Sequence, residues 1–89
     1  MILVSYDIKS DKVRTRFSKM LVRNGAIRLQ YSVYEVRNTQ RIMDVLVLKI
    51  EAFSKHFAAD DSVVIIEVDG KDIQKFGNAI HRDNPIVYF

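Results

Sequence analysis

The chain opens with an apolar run, MILVSYDI at residues 1–8, that is rich in β-branched and aromatic side chains. A run of this composition predicts a strand that is buried on both faces of a sheet. Such a strand needs cover on both sides. The chain has 89 residues and no cysteine, so it forms one domain at most and has no disulfide or thiolate metal centre to reinforce its core. Association with a second copy is the remaining reinforcement.

Two amphipathic patterns predict helices. Ser10 or Asp11 can cap the first helix, and the Asn-Gly pair at residues 24–25 ends it. Its apolar stripe consists of Val13, Phe17, Met20 and Leu21. Asn38 or Thr39 can cap the second helix. The apolar face predicted for that helix consists of Ile42, Val45, Leu46, Ile50 and Phe53.

Three further segments predict strands. Residues 27–36, IRLQYSVYEV, alternate apolar and polar side chains as a half-buried strand does, and they fit either one long strand or two segments bent near Ser32. Residues 62–68, SVVIIEV, predict the next strand, which is followed by a turn signal. A short helix or irregular strand is expected around residues 73–80, before a last strand, IVYF, at residues 86–89.

This order of elements predicts an α+β fold, a ferredoxin-like sandwich (βαββαβ) with an extra C-terminal strand, as a single domain over residues 1–89. Two helices cover only one face of the sheet, so we expect a homodimer that buries the other face. No apolar run approaches the roughly 20 residues needed to cross a bilayer. We therefore expect a soluble, cytoplasmic protein without a membrane partner, and the lack of cysteine fits a reducing compartment.

The positive charge of the chain is concentrated in one region. The formal net charge is only +3, but residues 9–28 contain seven basic side chains against one acidic one. The basic residues are Lys9, Lys12, Arg14, Arg16, Lys19, Arg23 and Arg28. They fall largely away from the apolar stripe of the first helix, so they predict either a cationic surface that follows a phosphate backbone or a merely solvated helix face. The planar fork of arginine suits phosphate contacts and favours the first interpretation.

Asp7 is the strongest single candidate for chemistry, because it ends the buried strand and precedes the basic helix. A carboxylate at that position could bind a hard divalent cation. One carboxylate is too few, but a two-fold dimer could supply a second Asp7, and magnesium needs only one or two protein carboxylates. Alternatively, Asp7 caps the helix or pairs with Arg14 or Arg28.

Other sites are less well supported by the sequence. Tyr6, Tyr31 and Tyr34 could stack on bases or could fill the core and a dimer seam. His56 and His81 have no partner at ligand spacing, so no zinc site is indicated. The glycines are too far apart for a phosphate-cradling loop, and the sequence contains no Gly-x-Ser-x-Gly motif or cysteine nucleophile.

Three parts of the sequence together resemble one known family. They are LVSYDI at residues 3–8, the pair Arg14 and Arg16, and RLQYSVYE at residues 28–35. The chain is similar to the small CRISPR-associated endonucleases that work beside the CRISPR integrase in acquiring new spacers. The likeness covers essentially the whole chain in order and length, including the terminal PIVYF strand.

The resemblance implies a ferredoxin-like homodimer in which the tail and strand at residues 78–89 pack on the partner. It also implies a metal-dependent phosphodiesterase centre at the dimer axis, and the family's catalytic, metal-binding aspartate falls on Asp7. Its nucleic-acid-binding positions fall on Tyr6, Arg14, Arg16, Arg28 and Tyr34. The tyrosine at position 34 is a mild departure, because phenylalanine is common there.

From the family we expect one Mg²⁺ or Mn²⁺ ion to be held by Asp7 of both copies, with the arginines orienting the phosphates. The expected substrates are duplex DNA, as the spacer precursor, and single-stranded RNA. The dimer would also bridge integrase subunits along the duplex. Two alternatives are a non-catalytic DNA-binding adaptor of the integration complex and a toxin-like endoribonuclease of the same fold.

Overall fold

A computed structural model describes residues 1–37 and 40–77 of the chain. The elements in chain order are β1 (Ile2–Asp7), α1 (Asp11–Arg23), β2 (Ile27–Gln30), β3 (Val33–Val36), α2 (Gln40–Phe53) and β4 (Ser62–Glu67). The four strands form one antiparallel sheet in the order β2-β3-β1-β4. Four antiparallel strands with two helices are compatible with the predicted ferredoxin-like fold. The predicted caps at 38–39 and the tail at 78–89 lie outside the described residues.

Local signals account for α1. Ser10 is its cap, because the Ser10 hydroxyl accepts a hydrogen bond from the Val13 amide at 3.3 Å. Gly25, just beyond the helix end, has a φ of +90°, which favours glycine. Phe17 and Leu21 of the predicted stripe are completely buried. No helix in the part of the chain that the structure describes is long and apolar enough to span a membrane.

The buried face of α2 differs from the predicted one. Leu46 and Ile50 are buried as expected, but Ile42 and Val45 remain 39% and 42% exposed. Met43 packs against the core instead. The difference arises because the core line of α2 runs through residues 43, 46 and 50, and residues 42 and 45 lie beside that line on the helix surface.

Residues 27–36 form two strands joined by a tight turn at Tyr31 and Ser32, so the bent alternative is the correct one. Ser32 has a φ of +65°, and its carbonyl oxygen accepts a hydrogen bond from the Tyr6 amide at 3.1 Å. The turn interrupts the simple alternation that the sequence indicated. Tyr34, which that alternation grouped with polar residues, is therefore buried.

The core lies between the helices and one face of the sheet. That face presents Ile2, Val4, Tyr6, Tyr34 and Val36 to the helices. We call the opposite side the open face, and it consists of Leu3, Ser5, Asp7, Val33, Glu35, Val64 and Ile66. β1 is fully buried on the helix side only, because no helix lies over the open face within the described ranges. The prediction of burial on both faces was therefore wrong for the single chain.

Glu35 is an exception on the open face, because it is completely buried. It pairs across the sheet with Leu3 and Ile27. The Lys75 ammonium, from the segment after β4, donates a hydrogen bond to Glu35 Oε1 at 3.1 Å. The second oxygen, Oε2, has no hydrogen-bond partner among the residues that the structure describes. A buried ion pair thus attaches the segment around Lys75 to the sheet.

Candidate functional site

Asp7 ends β1 on the open face, opposite in direction to Tyr6, and its side chain is 64% exposed. Both carboxylate oxygens accept hydrogen bonds from the Lys9 ammonium at 2.9 Å. This hydrogen bond and the charge of Asp7 raise the pKa of Lys9. The alternatives in which Asp7 caps α1 or pairs with an arginine are wrong, because Ser10 is the cap and Lys9 is the partner.

The loop that follows Asp7 is fixed by a second carboxylate. Asp61 Oδ1 accepts a hydrogen bond from the Lys9 amide at 2.9 Å, and Asp61 Oδ2 accepts one from the Ala58 amide at 2.8 Å. These two backbone hydrogen bonds lower the pKa of Asp61. Asp61 therefore ties the β1–α1 loop to the α2–β4 loop. This role of Asp61 was not predicted from the sequence, although an Asp-Asp pair before a strand is a signal for such a turn.

Asp7 offers the type of ligand that a hard cation prefers, but the described residues of one chain offer too few ligands. A carboxylate oxygen is the ligand that magnesium prefers, and Asp7 is exposed at a strand end. Within residues 1–37 and 40–77, however, no three acidic or histidine side chains converge on one point. The described residues of one chain thus form no three-ligand site at Asp7, and a second copy would have to supply a further carboxylate.

A cavity of about 280 Å³ lies on the helix side of the sheet, between α1 and the β2–β3 turn. Its walls are Tyr6, Arg14, Thr15, Ser18, Arg28, Tyr31, Ser32 and Tyr34. We call it the tyrosine–arginine cavity. It brings together four of the five predicted nucleic-acid-binding residues, and none of its described lining residues is acidic. Asp7 and Arg16 do not line it.

The two arginines of the cavity have different surroundings. Arg14 donates to the Ile8 carbonyl oxygen at 3.0 Å and to the Asp11 carboxylate, and its guanidinium lies 5.9 Å from the centre of the Tyr31 ring. The hydrogen bond to Asp11 raises the pKa of Arg14. Arg28 has no carboxylate at ion-pair distance among the described residues. Arg14 is therefore held in place, and the charge of Arg28 is uncompensated.

Tyr6 and Tyr34 form the buried side of the cavity. Their rings stack with centres 6.0 Å apart, and Phe17 packs edge-on against Tyr6 at 4.9 Å. Burial raises the pKa of Tyr6 to about 12, so its hydroxyl stays protonated at neutral pH. Both rings belong to the core, whereas Tyr31 at the rim is 66% exposed. The sequence alone did not distinguish Tyr31 from Tyr6 and Tyr34.

Arg16 lies on the other side of α1. Four exposed residues at helical spacing form what we call the cationic stripe, Lys12, Arg16, Lys19 and Arg23. The stripe is about 16 Å long at 1.5 Å per residue. Arg16 lines a separate depression with Lys12 and His56. The structure thus separates Arg14 from Arg16, because residues two apart in a helix point in different directions.

Comparisons with known proteins identify the family to which the chain belongs. The family model described as CRISPR associated protein Cas2 matches residues 1–76. The crystal structure of a hypothetical protein from Thermus thermophilus superposes with a TM-score of 0.69 at 26% sequence identity, covering 85% of this chain and 88% of that chain. Comparison with curated proteins finds no match. Cas2 proteins act in CRISPR adaptation and are generally nucleases. The chain therefore belongs to the CRISPR-associated Cas2 family, as its sequence indicated.

Proposed function

We propose that the chain is a nucleic-acid-binding homodimer that hydrolyses phosphodiester bonds with a divalent metal ion and also holds integrase subunits along a duplex spacer precursor. The observation that carries the proposal is the exposed carboxylate of Asp7 at the end of β1, directly before a basic helix. Duplex DNA and single-stranded RNA are the proposed substrates.

The open face supports the proposed dimer. Val64 and Ile66 on this face are 52% and 44% exposed, and they lie on β4, an edge strand. Exposed apolar side chains on an edge strand favour pairing with another chain. Two copies that meet through their open faces about a two-fold axis can place both Asp7 side chains beside the axis. We propose that residues 78–89 complete this contact on the partner.

In this dimer, the Asp7 carboxylates of the two copies would together hold one Mg²⁺ or Mn²⁺ ion. When bound, the ion would polarise a phosphodiester and activate a water. Lys9 then has to release at least one oxygen of the Asp7 carboxylate, which it contacts at 2.9 Å. Arg14 and Arg28 lie on the helix side of the sheet, so they would bind phosphates of the strand away from the scissile bond and hold the strand in place.

Scaffolding needs no metal. The cationic stripe is long enough, at about 16 Å, to follow roughly five phosphates of one strand at 3.4 Å per nucleotide. Contacts of this kind position DNA without reading its sequence. The stripe therefore supports a role in which the dimer lies along the spacer precursor.

The test is a cleavage assay with Asp7→Asn, which keeps the shape of the side chain and removes its charge. Wild type and variant are incubated with single-stranded RNA and with duplex DNA, with and without magnesium. We expect Asp7→Asn to abolish magnesium-dependent cleavage and to leave the dimer intact by light scattering. Asp72→Asn is the matched control, since Asp72 is exposed and distant in sequence from β1, and it should cleave normally. Undiminished cleavage by Asp7→Asn at matched purity refutes the metal role.

The Lys9–Asp7 ion pair favours a second candidate, a non-catalytic DNA-binding adaptor, because it already compensates the charge of Asp7. In that case Asp7→Asn leaves spacer acquisition unchanged, while the charge reversals Arg16→Glu and Lys19→Glu abolish it. Spacer acquisition in cells that carry the integrase distinguishes the two candidates. Loss of acquisition with Asp7→Asn would exclude the adaptor that works without catalysis.

A further inference from the structure

We propose that the tyrosine–arginine cavity binds one phosphorylated nucleotide, free or at a strand end, with its phosphate monoester at Arg14 and Arg28 and its base stacked on Tyr31. The inference rests on the proposed nucleic-acid role of the cavity, but it requires neither Asp7 nor a metal ion. The cavity volume of about 280 Å³ is close to the lower end, about 300 Å³, of pockets that bind one small ligand.

The charge and the donors of the cavity fit a terminal phosphate. Its lining has two guanidinium groups, three aliphatic hydroxyls from Thr15, Ser18 and Ser32, and no carboxylate. A phosphate monoester has a charge of roughly −1.5 to −2 at neutral pH, whereas each phosphodiester has a single charge. The Asp11 carboxylate compensates the charge of Arg14, but the donors of two guanidinium forks still match the three free oxygens of a monoester better than the two of a diester. Asp11, which is 91% exposed, contacts one nitrogen of Arg14 and leaves other donors of that side chain available.

The binding groups are held before a ligand arrives. The Ile8 carbonyl oxygen and Asp11 fix the guanidinium of Arg14. The turn that presents Tyr31 is attached to β1 by the hydrogen bond from the Tyr6 amide to the Ser32 carbonyl oxygen at 3.1 Å. Groups that are already ordered lose less conformational entropy on binding, so the cavity is suited to recognise a small ligand.

Tyr31 is the ring that a base can reach. Tyr6 and Tyr34 pack in the core, while Tyr31 leaves 66% of its surface exposed at the cavity rim. An exposed aromatic ring beside a cationic groove is the usual stacking platform for a single base. The guanidinium of Arg14, at 5.9 Å from the ring centre, adds a cation–π contact that supports the orientation of this ring.

The cavity is separate from the proposed metal ligand. Asp7 belongs to the open face and does not line the cavity, which lies on the helix side of the sheet. A nucleotide in the cavity therefore has its phosphate away from the Asp7 carboxylate. The cavity would select strand ends or single nucleotides, and it would not be the place where a strand is cut.

The test is a fluorescence titration in EDTA, so that no metal-dependent cleavage occurs. The probe is a short single-stranded oligonucleotide with 2-aminopurine as its 5′ nucleotide, prepared with a 5′-phosphate or a 5′-hydroxyl. We expect the phosphorylated probe to bind at least about tenfold more tightly, with quenching as the base stacks on Tyr31. Competition by dAMP but not by deoxyadenosine identifies a free nucleotide as ligand. A 5′-phosphate preference without dAMP competition identifies the strand end.

Variants locate the binding. Tyr31→Ala should weaken binding of the phosphorylated probe by about 5- to 150-fold, the range for loss of one base–aromatic stack, and Tyr31→Phe should retain it. Arg28→Met should remove the preference for the 5′-phosphate. The matched control is Arg41→Met, since Arg41 is an exposed arginine on α2, and it should bind as the wild type does. Equal binding of both probes by the wild type, or unchanged binding by Tyr31→Ala and Arg28→Met, overturns the inference.

Relaxed circular duplex DNA, which has no ends, separates this inference from the proposed function. Binding of the circle without any 5′-phosphate preference contradicts the nucleotide cavity and leaves the proposed duplex binding in place. A 5′-phosphate preference that depends on Tyr31, without binding of the circle, supports the cavity and contradicts the duplex-binding role. Binding of neither ligand contradicts both.

Discussion

Replacing Lys75 with methionine should destabilise the fold strongly, because it removes the hydrogen-bond partner that the structure describes for a fully buried carboxylate. Glu35 has no exposed surface, Lys75 Nζ lies 3.1 Å from its Oε1, and Oε2 has no partner within residues 1–37 and 40–77. Removing one member of a buried ion pair costs about 3–5 kcal/mol. The Lys75 side chain keeps 23% of its surface exposed. We therefore expect a loss near the lower limit, about 3 kcal/mol.

This loss is large for a small chain. At roughly 0.05–0.15 kcal/mol per residue, 89 residues give a free energy of unfolding of about 4–13 kcal/mol. The assay is urea unfolding at neutral pH, followed by circular dichroism. Lys71→Met is the matched control, because Lys71 pairs with the exposed Asp69 at 3.8 Å, and exposed pairs contribute about 0–1 kcal/mol.

A double variant separates the buried charge from lost packing. Glu35→Met combined with Lys75→Met removes both charges and keeps apolar volume, so its stability should return toward that of the wild type. If Lys75→Met unfolds within about 0.5 kcal/mol of the wild type with an unchanged dependence on urea, the carboxylate is not isolated from water and the reasoning is wrong.

Substitutions at three further positions are tested by urea unfolding. Asp61→Asn should lower the urea midpoint at neutral pH, since the backbone amides of Lys9 and Ala58 depress the pKa of this carboxyl. That stabilisation is present above the ordinary pKa of 3.8 and is lost as the pH falls through the lower folded value, so the difference should disappear in acid; a constant difference would contradict this. Phe17→Ala, at a fully buried position, should cost about 3–5 kcal/mol, and a loss below about 1 kcal/mol would contradict the core assignment. Ser32→Val should cost about 1–2 kcal/mol because its φ is +65°, whereas Ser32→Gly should cost nothing, and equal stability of the two would contradict the strained turn.

The sequence was sufficient to predict features that follow from the regular repeat of a helix or from local turn signals. Phe17 and Leu21 were assigned to the buried stripe of α1 from their spacing alone, because a helix returns to the same face every 3.6 residues. The cap at Ser10 and the helix end at Asn24 and Gly25 are equally local. Asp7 at the end of a strand was also accessible from sequence, and so was the family, through short segments in a fixed order.

Sequence periodicity failed where the chain turns. Tyr34 was grouped with polar side chains, because the alternation of apolar and polar residues was assumed to continue without a break through Ser32. In the structure Ser32 adopts a positive φ and reverses the chain, and Tyr34 enters the core beside Tyr6. Serine has no strong preference for a left-handed conformation, so the sequence gives little signal for the turn at Ser32. Contacts in the folded chain, such as the hydrogen bond from the Tyr6 amide, accompany this conformation.

The sequence by itself therefore determined the buried side of α1, the acidic strand end, the family and the order of elements, except for the division of residues 27–36 into two strands. Only the tertiary structure decided that Arg14 joins Arg28 in one cavity while Arg16 belongs to another surface. It also decided that Lys75 reaches Glu35 across 40 positions of the chain. The physical reason is that helix and strand periods are properties of the local backbone, whereas these contacts depend on strand register and on how helices pack across the sheet.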